Sequence, residues 1–251
     1  MKLKAYIISC CVLMFFLTSC GSKKGFQFTG KENDAEAIEK CLQLSKRKKF
    51  EQAVECLEIF KSRYPNSTYA LDAELQIADS YYNNKEWLLA AESYKLFAKL
   101  HPSSPKLDYA YYRAGMAYLK LIPKSVDRDM TYIGQAEESF TKVYRFFPES
   151  PYAKMAMAKK DEVLAKAAKK NMYIANFYFK YGEYRAAASR YISVLKDYSG
   201  LGYDELALYR LALSYHRLGL DKKAQAAAEL MQEKFPNSKK TKSIVRKVLG
   251  G

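Results

Sequence analysis

Few side chains in this 251-residue sequence have the type and spacing to do chemistry. There are two histidines. His101 directly precedes Pro102 at an expected helix end, and His216 lies mid-helix beside Tyr215. Neither shares metal-ligand spacing with a cysteine. Asp127 and Asp129 flank Arg128 in an expected loop, where mutual ion pairing is the default. No glycine-rich phosphate loop and no nucleophile elbow occurs. The expectation is therefore a non-enzyme with no metal and no cofactor. The five cysteines are the remaining reactive groups. Cys41 and Cys56 lie in the first expected helix pair. An oxidising compartment permits a disulfide between them. Two buried thiols packing as small hydrophobes is the reading preferred from sequence.

Cys20 stands apart. Met1 to Lys4 is a short basic stretch, Ala5 to Leu17 is an apolar run, and Leu17-Thr18-Ser19-Cys20 follows. A bilayer core needs about 20 apolar residues in a helix, so this run is too short to span one. Basic residues before it and small residues after it mark an export signal. The arrangement resembles a bacterial lipobox, which implies that residues 1–19 are a signal peptide and that Cys20 is lipidated. Ser19 departs mildly from the usual Gly or Ala. More than one acyl chain gives stable anchoring. Loss of Lys2 and Lys4 leaves 40 Lys and Arg against 27 Asp and Glu, a net charge of +13. An exported protein rarely meets nucleic acid, so this charge is read as a solvated surface that favours anionic headgroups or acidic proteins. Residues 20–34 are expected to form a flexible tether.

Downstream, the chain repeats. Ala53, Ala90, Ala136 and Ala224 are each followed twelve residues later by Pro65, Pro102, Pro148 and Pro236. Ala187 keeps the spacing, but Ser199 replaces the proline. Twelve residues before four of these alanines lie Cys41, Ala78, Ala175 and Ala212, and the third unit carries Gly115 farther upstream. A large residue follows three positions after each: Leu44, Tyr81, Tyr118, Tyr178 and Tyr215. This is the tetratricopeptide (TPR) pattern. Small residues let two helices approach closely, large ones fill the space between units, and proline ends the second helix. The expected fold is all-α, a TPR superhelical solenoid of five helix-turn-helix repeats. Ile122 to Thr131 reads as a long loop inside the third unit. Tyr152 to Lys180 lacks Pro and Gly and reads as one long helix connecting repeats 3 and 4. The expected organisation is repeats 1–3 over 35–151, repeats 4–5 over 152–238, and a basic cap segment over 239–251.

Such arrays bind polypeptides in a groove lined by the first helix of each pair. Helical periodicity nominates Leu75, Asp79, Tyr82 and Asn83 in the second unit. In the third it nominates Tyr109, Tyr112 and Met116, with Leu119 and Lys120. Tyrosine and methionine suit adaptable peptide contact. Packing between adjacent units is the competing reading for several of them.

One segment is more specific than a generic repeat. His101-Pro102-Ser103-Ser104-Pro105, followed by Asp108-Tyr109-Ala110 and Tyr112 to Gly115, resembles the corresponding segment of the BamD family. Asp127-Arg128-Asp129, Phe147-Pro148 and Tyr152-Ala153 resemble its next segment. Arg63-Tyr64-Pro65 and the run Ala175 to Tyr191 resemble its first and fourth repeats. The resemblance covers about Lys31 to Asn237. It implies a lipoprotein scaffold of the machinery that folds β-barrel proteins into the outer membrane, lipid-anchored and facing the periplasm. It implies two partners, a BamA-like barrel subunit and unfolded outer-membrane β-barrel proteins. The subunit interface is placed at Ser189, Arg190, Tyr215 and His216. The family's Asn-Arg pair is Ser189-Arg190 here, which weakens that assignment. The alternative is another periplasmic TPR adaptor of the Tol-associated kind. Those lack the lipobox and usually carry a coiled coil, which is absent here.

Overall fold

A computed structural model describes residues 26–250. The expected signal peptide and the expected lipidation site, Cys20, lie outside the described residues. Eleven helices make up the described chain. They are α1 (Asp34–Lys46), α2 (Phe50–Arg63), α3 (Ala70–Asn83), α4 (Trp87–Leu100), α5 (Leu107–Leu121), α6 (Ile133–Phe146), α7 (Ala153–Lys180), α8 (Tyr184–Asp197), α9 (Asp204–Arg217), α10 (Asp221–Lys234) and α11 (Lys239–Val248). The fold is all-α and built of TPR helix pairs. By compactness the chain divides into one unit ending at Gln76 and a second beginning at Ile77. That division falls inside α3.

In each unit the expected small residues sit at the helix contact. Cys41, Ala78, Ala175 and Ala212 from the first helices are fully buried, as are Ala53, Ala90, Ala136, Ala187 and Ala224 from the second. Gly115 takes the small position in the third unit. A Cβ built there would lie 2.7 Å from the Phe140 ring, so only glycine permits that approach. Four positions after each alanine, Leu57, Tyr94, Phe140, Tyr191 and Ala228 are fully buried.

The turns inside four of the five pairs share one backbone solution. The residue five positions before Ala53, Ala90, Ala187 and Ala224 has positive φ: Lys48, Lys85, Gly182 and Gly219. That left-handed residue lets the next amide bond back to a carbonyl five residues earlier. The bonds are Lys49 N–H to Leu44 O and Glu86 N–H to Tyr81 O, both 2.9 Å, and Glu183 N–H to Tyr178 O and Leu220 N–H to Tyr215 O, both 3.0 Å. At the other end, the second helices stop one residue short of the proline. α8 stops in the same register although Ser199 replaces proline. Gly200 and Gly202, both with positive φ, turn the chain instead.

Recurring side-chain clamps tie the start of a first helix to the loop after its second. Ser67 Oγ donates to Asp34 at 2.8 Å, Ser150 to Asp108 at 2.6 Å, and Ser238 to Glu205 at 2.5 Å. These pairs lie 33 or 42 residues apart in sequence, beyond the reach of local pattern reading.

Three sequence expectations are changed. Cys41 and Cys56 form a disulfide, with Cα atoms 5.4 Å apart, so the reading as two free thiols is corrected. Cys41 occupies the small-residue position where the helices approach most closely, and Cys56 faces it from α2. Residues 26–33, expected to belong to a tether, dock on the first pair. Phe28 meets Tyr64 edge-on, the Tyr64 hydroxyl donates to Glu32 O at 2.7 Å, and the Glu32 carboxylate accepts from Lys40. Asn33 and Glu36 then form a capping box on α1. Finally, Asp127 and Asp129 accept from Ser125 and Thr131, so local hydroxyls supply partners where ion pairing with Arg128 was expected.

The long helix is present. α7 has 28 residues and spans about 42 Å at 1.5 Å per residue. It packs on α6 and on α8. It also holds the third unit's loop, because Lys170 Nζ donates to Val126 O at 2.7 Å and Arg128 O at 3.0 Å. The chain ends on α11, which is capped by Ser238. Its Ile244 is fully buried, and Val245 and Val248 pack against the core formed by α7 to α10.

Candidate binding surface

The residues expected to line a groove divide into a locked set and an accessible set. Asp79 on α3 is the centre of the locked set. Its Oδ1 accepts from the hydroxyls of Tyr94 on α4 and Tyr109 on α5. Arg113 on α5 brings Nη2 to 3.4 Å from the same oxygen and donates from Nε to Tyr94 Oη at 3.1 Å. The Arg113 guanidinium also covers the Tyr82 ring, 3.8 Å from its centroid, and Tyr82 meets Trp87 edge-on. The side chains of Asp79 and Arg113 are only 17% and 20% exposed.

Electrostatics follow from this burial. The Tyr94 and Tyr109 phenols are pushed well above the ordinary tyrosine range, first by desolvation and then by the Asp79 charge. Tyr82 is also raised by burial, against the opposing charge of Arg113. Burial works against the Arg113 cation, but Tyr94, Tyr109 and Asp79 outweigh it, so its pKa is raised. The cluster joins three helices through charge-assisted bonds. It ties α3, α4 and α5 together as a structural clamp.

The other nominated residues are placed differently. Leu75 is 4% exposed, so it belongs to the core and does not line an open face. Leu119 is buried as well. Asn83 is exposed at the end of α3, and Met116 is half-buried. Tyr112 is half-buried and stacks on Tyr152 at 5.1 Å, with Phe140 at 6.0 Å. Tyr152 also meets Tyr109 at 5.7 Å. Helical periodicity locates these faces, and Arg113 was the member it missed. An arginine one residue after Tyr112 carries no period signal of its own.

In the fourth and fifth repeats, Ser189 and Arg190 are exposed on α8. Arg190 faces α7, with Nη1 3.5 Å from Asn171 Oδ1. Tyr215 on α9 lies beneath Lys223 of α10, 5.7 Å from ring centroid to Nζ, and His216 beside it is half-buried. Arg190 and Tyr215 therefore meet different neighbours. The hydrogen bond between Tyr191 and Asn176, at 2.6 Å, repeats the Tyr94–Asp79 spacing of 15 residues with a neutral acceptor. Burial pushes the Tyr191 phenol up to about 12, with Arg210 opposing.

Among the described residues, no group of three His, Cys, Asp or Glu is placed to hold a metal. Among them also, no helix is long and apolar enough to cross a membrane.

Comparison with known proteins places this architecture. The family model described as YfiO, outer membrane lipoprotein, matches residues 31–243. An outer membrane protein assembly factor BamD from Neisseria meningitidis serogroup A is 31% identical over 198 residues, covering 75% of this chain and 74% of the relative. The factor of the same name from Rickettsia prowazekii is 30% identical over 244 residues, covering 95% and 94%. Among solved structures, the TPR2AB-domain:pHSP90-complex of yeast Sti1 aligns with a TM-score of 0.43 at 15% identity, over 86% of this chain and 82% of that one. With its helix pairs matched from the first repeat into the terminal helix, the chain belongs to the YfiO family of outer membrane lipoproteins, the family of the BamD assembly factors.

Proposed function

We propose that this chain is a non-catalytic scaffold of the machinery that assembles β-barrel proteins in the outer membrane. The observation that carries the reading is the near full-length match to assembly factors named BamD. In this reading, Cys20 carries the lipid and holds the chain to the periplasmic side of the outer membrane. The second and third repeats meet unfolded barrel polypeptides. Tyr112, Met116 and Asn83 are the contact residues, with Tyr82 at the edge of the arginine clamp. Asp79 and Tyr109 act from behind by fixing that face. The fourth and fifth repeats meet a BamA-like barrel subunit, with Arg190, Ser189, Tyr215 and His216 as candidate contacts. Nucleic acid is not a partner.

The test has two arms. Purification from membranes in gentle detergent should recover a large β-barrel subunit. Recovery with cell-wall or Tol-system proteins alone would overturn the assembly role. A photo-crosslinker at Tyr112 or Tyr82 should capture unfolded barrel polypeptides. Crosslinks confined to repeats 4 and 5 would overturn the substrate assignment and leave the scaffold role standing.

A further inference from the structure

The arginine clamp of the second and third repeats has a counterpart in the fourth and fifth that lacks its acid. In the first, Asp79, Tyr94 and Arg113 stand 15 and 19 residues apart, and Tyr82 follows Asp79 by three. Asn176 on α7, Tyr191 on α8 and Arg210 on α9 keep both intervals, and Phe179 follows Asn176 by three. Geometry repeats with the spacing. Tyr191 donates to Asn176 Oδ1 at 2.6 Å, and the Arg210 guanidinium lies 4.8 Å from the Phe179 ring centroid. The chemistry differs at two positions. Asn176 is neutral where Asp79 is a carboxylate. Leu206 stands four residues before Arg210, where Tyr109 stands four before Arg113.

Arg210 is thus left without its counter-ion. Among the described residues no carboxylate pairs with its guanidinium, and its Nε is buried with no hydrogen-bond partner. In the first clamp the same atom of Arg113 donates to Tyr94 Oη at 3.1 Å. An unmet buried donor costs more than a made bond gains, and few persist in native structures. A guanidinium does not escape by losing its proton, and its flat edge matches a carboxylate. The surroundings are open to a partner. Asn176 is exposed and Arg210 is half-buried. Leu206 and Leu213 flank Arg210 on one face of α9 and, like Phe179, are only partly buried. Arg217 is exposed two turns further along that face, about 10 Å away at 1.5 Å per residue. Two cations two turns apart, with Leu213 between them, match a helix that carries acids at the same interval.

We propose that Arg210 receives a carboxylate from another polypeptide, an acidic helix that supplies in trans what Asp79 supplies to Arg113 within the chain. A free small acid shares this chemistry, and the inference does not depend on the assembly role. The probe is a fluorescein-labelled helical peptide of leucine and glutamate with its acids two turns apart, followed by anisotropy against the full chain. It should bind, and its glutamine analogue should bind at least about tenfold more weakly. Arg210→Met should weaken binding of the glutamate peptide about tenfold, whereas Lys196→Gln, which removes an equal charge from α8, should leave it unchanged. Asn176→Asp restores the carboxylate in cis and should also weaken binding about tenfold. The same change should raise the melting temperature by about 2–4 °C more than it does in an Arg210→Met background. Equal binding of the two peptides, unaltered affinity in both Arg210→Met and Asn176→Asp, or an equal loss in Lys196→Gln would overturn the proposal. So would failure of the glutamate peptide to bind; a shift of the Arg210 Nε–H resonance by acetate would then assign the guanidinium to small acids.

Discussion

Replacement of Asp79 by alanine tests the clamp that fixes the proposed substrate face. The carboxylate accepts two tyrosine hydroxyls and pairs with Arg113. Tyr94 keeps the Arg113 Nε contact in the variant, whereas Tyr109 and the guanidinium lose their acceptor. A hydrogen bond to a charged group contributes about 1.5–3 kcal/mol, and breaking a buried pair costs about 3–5 kcal/mol. These costs overlap. The 17–20% exposure of the pair also lets water in to satisfy part of the loss. The expected loss is therefore about 3 kcal/mol. At a urea slope of about 2 kcal/mol/M this moves the midpoint down by about 1.5 M.

Trp87, the single tryptophan, touches Tyr82 beneath Arg113 and reports the clamp directly. Urea unfolding should be followed by Trp87 fluorescence alongside far-ultraviolet circular dichroism. Asp79→Asn retains an acceptor without charge and should lose about half as much. The same clamp sets an alkaline limit. Because folding raises the Tyr94 pKa, its contribution is complete below the unfolded tyrosine value near 10 and falls as pH rises above it. The slope is up to about 1.4 kcal/mol per pH unit for this residue. An Asp79→Ala loss under about 1 kcal/mol would refute the view that this carboxylate holds the three helices together.

Two further outcomes concern the helix contacts. Gly115→Ala should destabilise the protein by about 1–2 kcal/mol, because the added methyl meets the buried Phe140 ring and overpacking outweighs the gain in helix propensity; thermal melts that show no loss would mean the ring moves freely. Reduction of the Cys41–Cys56 disulfide, which closes a separation of 15 residues, should lower the stability of the first pair by about 3 kcal/mol. Amide exchange in α1 and α2 with and without reductant measures this, and equal protection would contradict it.

Much of the fold was legible because repeats write packing into spacing. An alanine twelve residues before a proline defines a second helix by its closest contact and its end. α2, α4, α6 and α10 all stop with one residue left between the helix end and the proline. The absence of Pro and Gly between Tyr152 and Lys180 was enough to read α7. The lipobox reading needs no tertiary contact, and it concerns residues outside the described part of the chain.

Periodicity identifies a face, and it does not say what that face touches. Asp79, Tyr109 and Leu75 all lie at positions that a helical wheel offers to a groove. Tertiary structure consumes Asp79 and Tyr109 in the clamp and buries Leu75. The deciding partners are 15, 30 and 34 residues away from Asp79, at Tyr94, Tyr109 and Arg113. The same distance from sequence hides the serine clamps, the Lys170 hold on the third unit's loop and the pairing of Cys41 with Cys56. Sequence alone determined where helices begin, end and approach, because those choices depend on residue size and backbone freedom within one turn or one pair. Only the folded chain decided which polar groups remain available for a partner, because a buried donor or charge must find its acceptor wherever the packed helices place one.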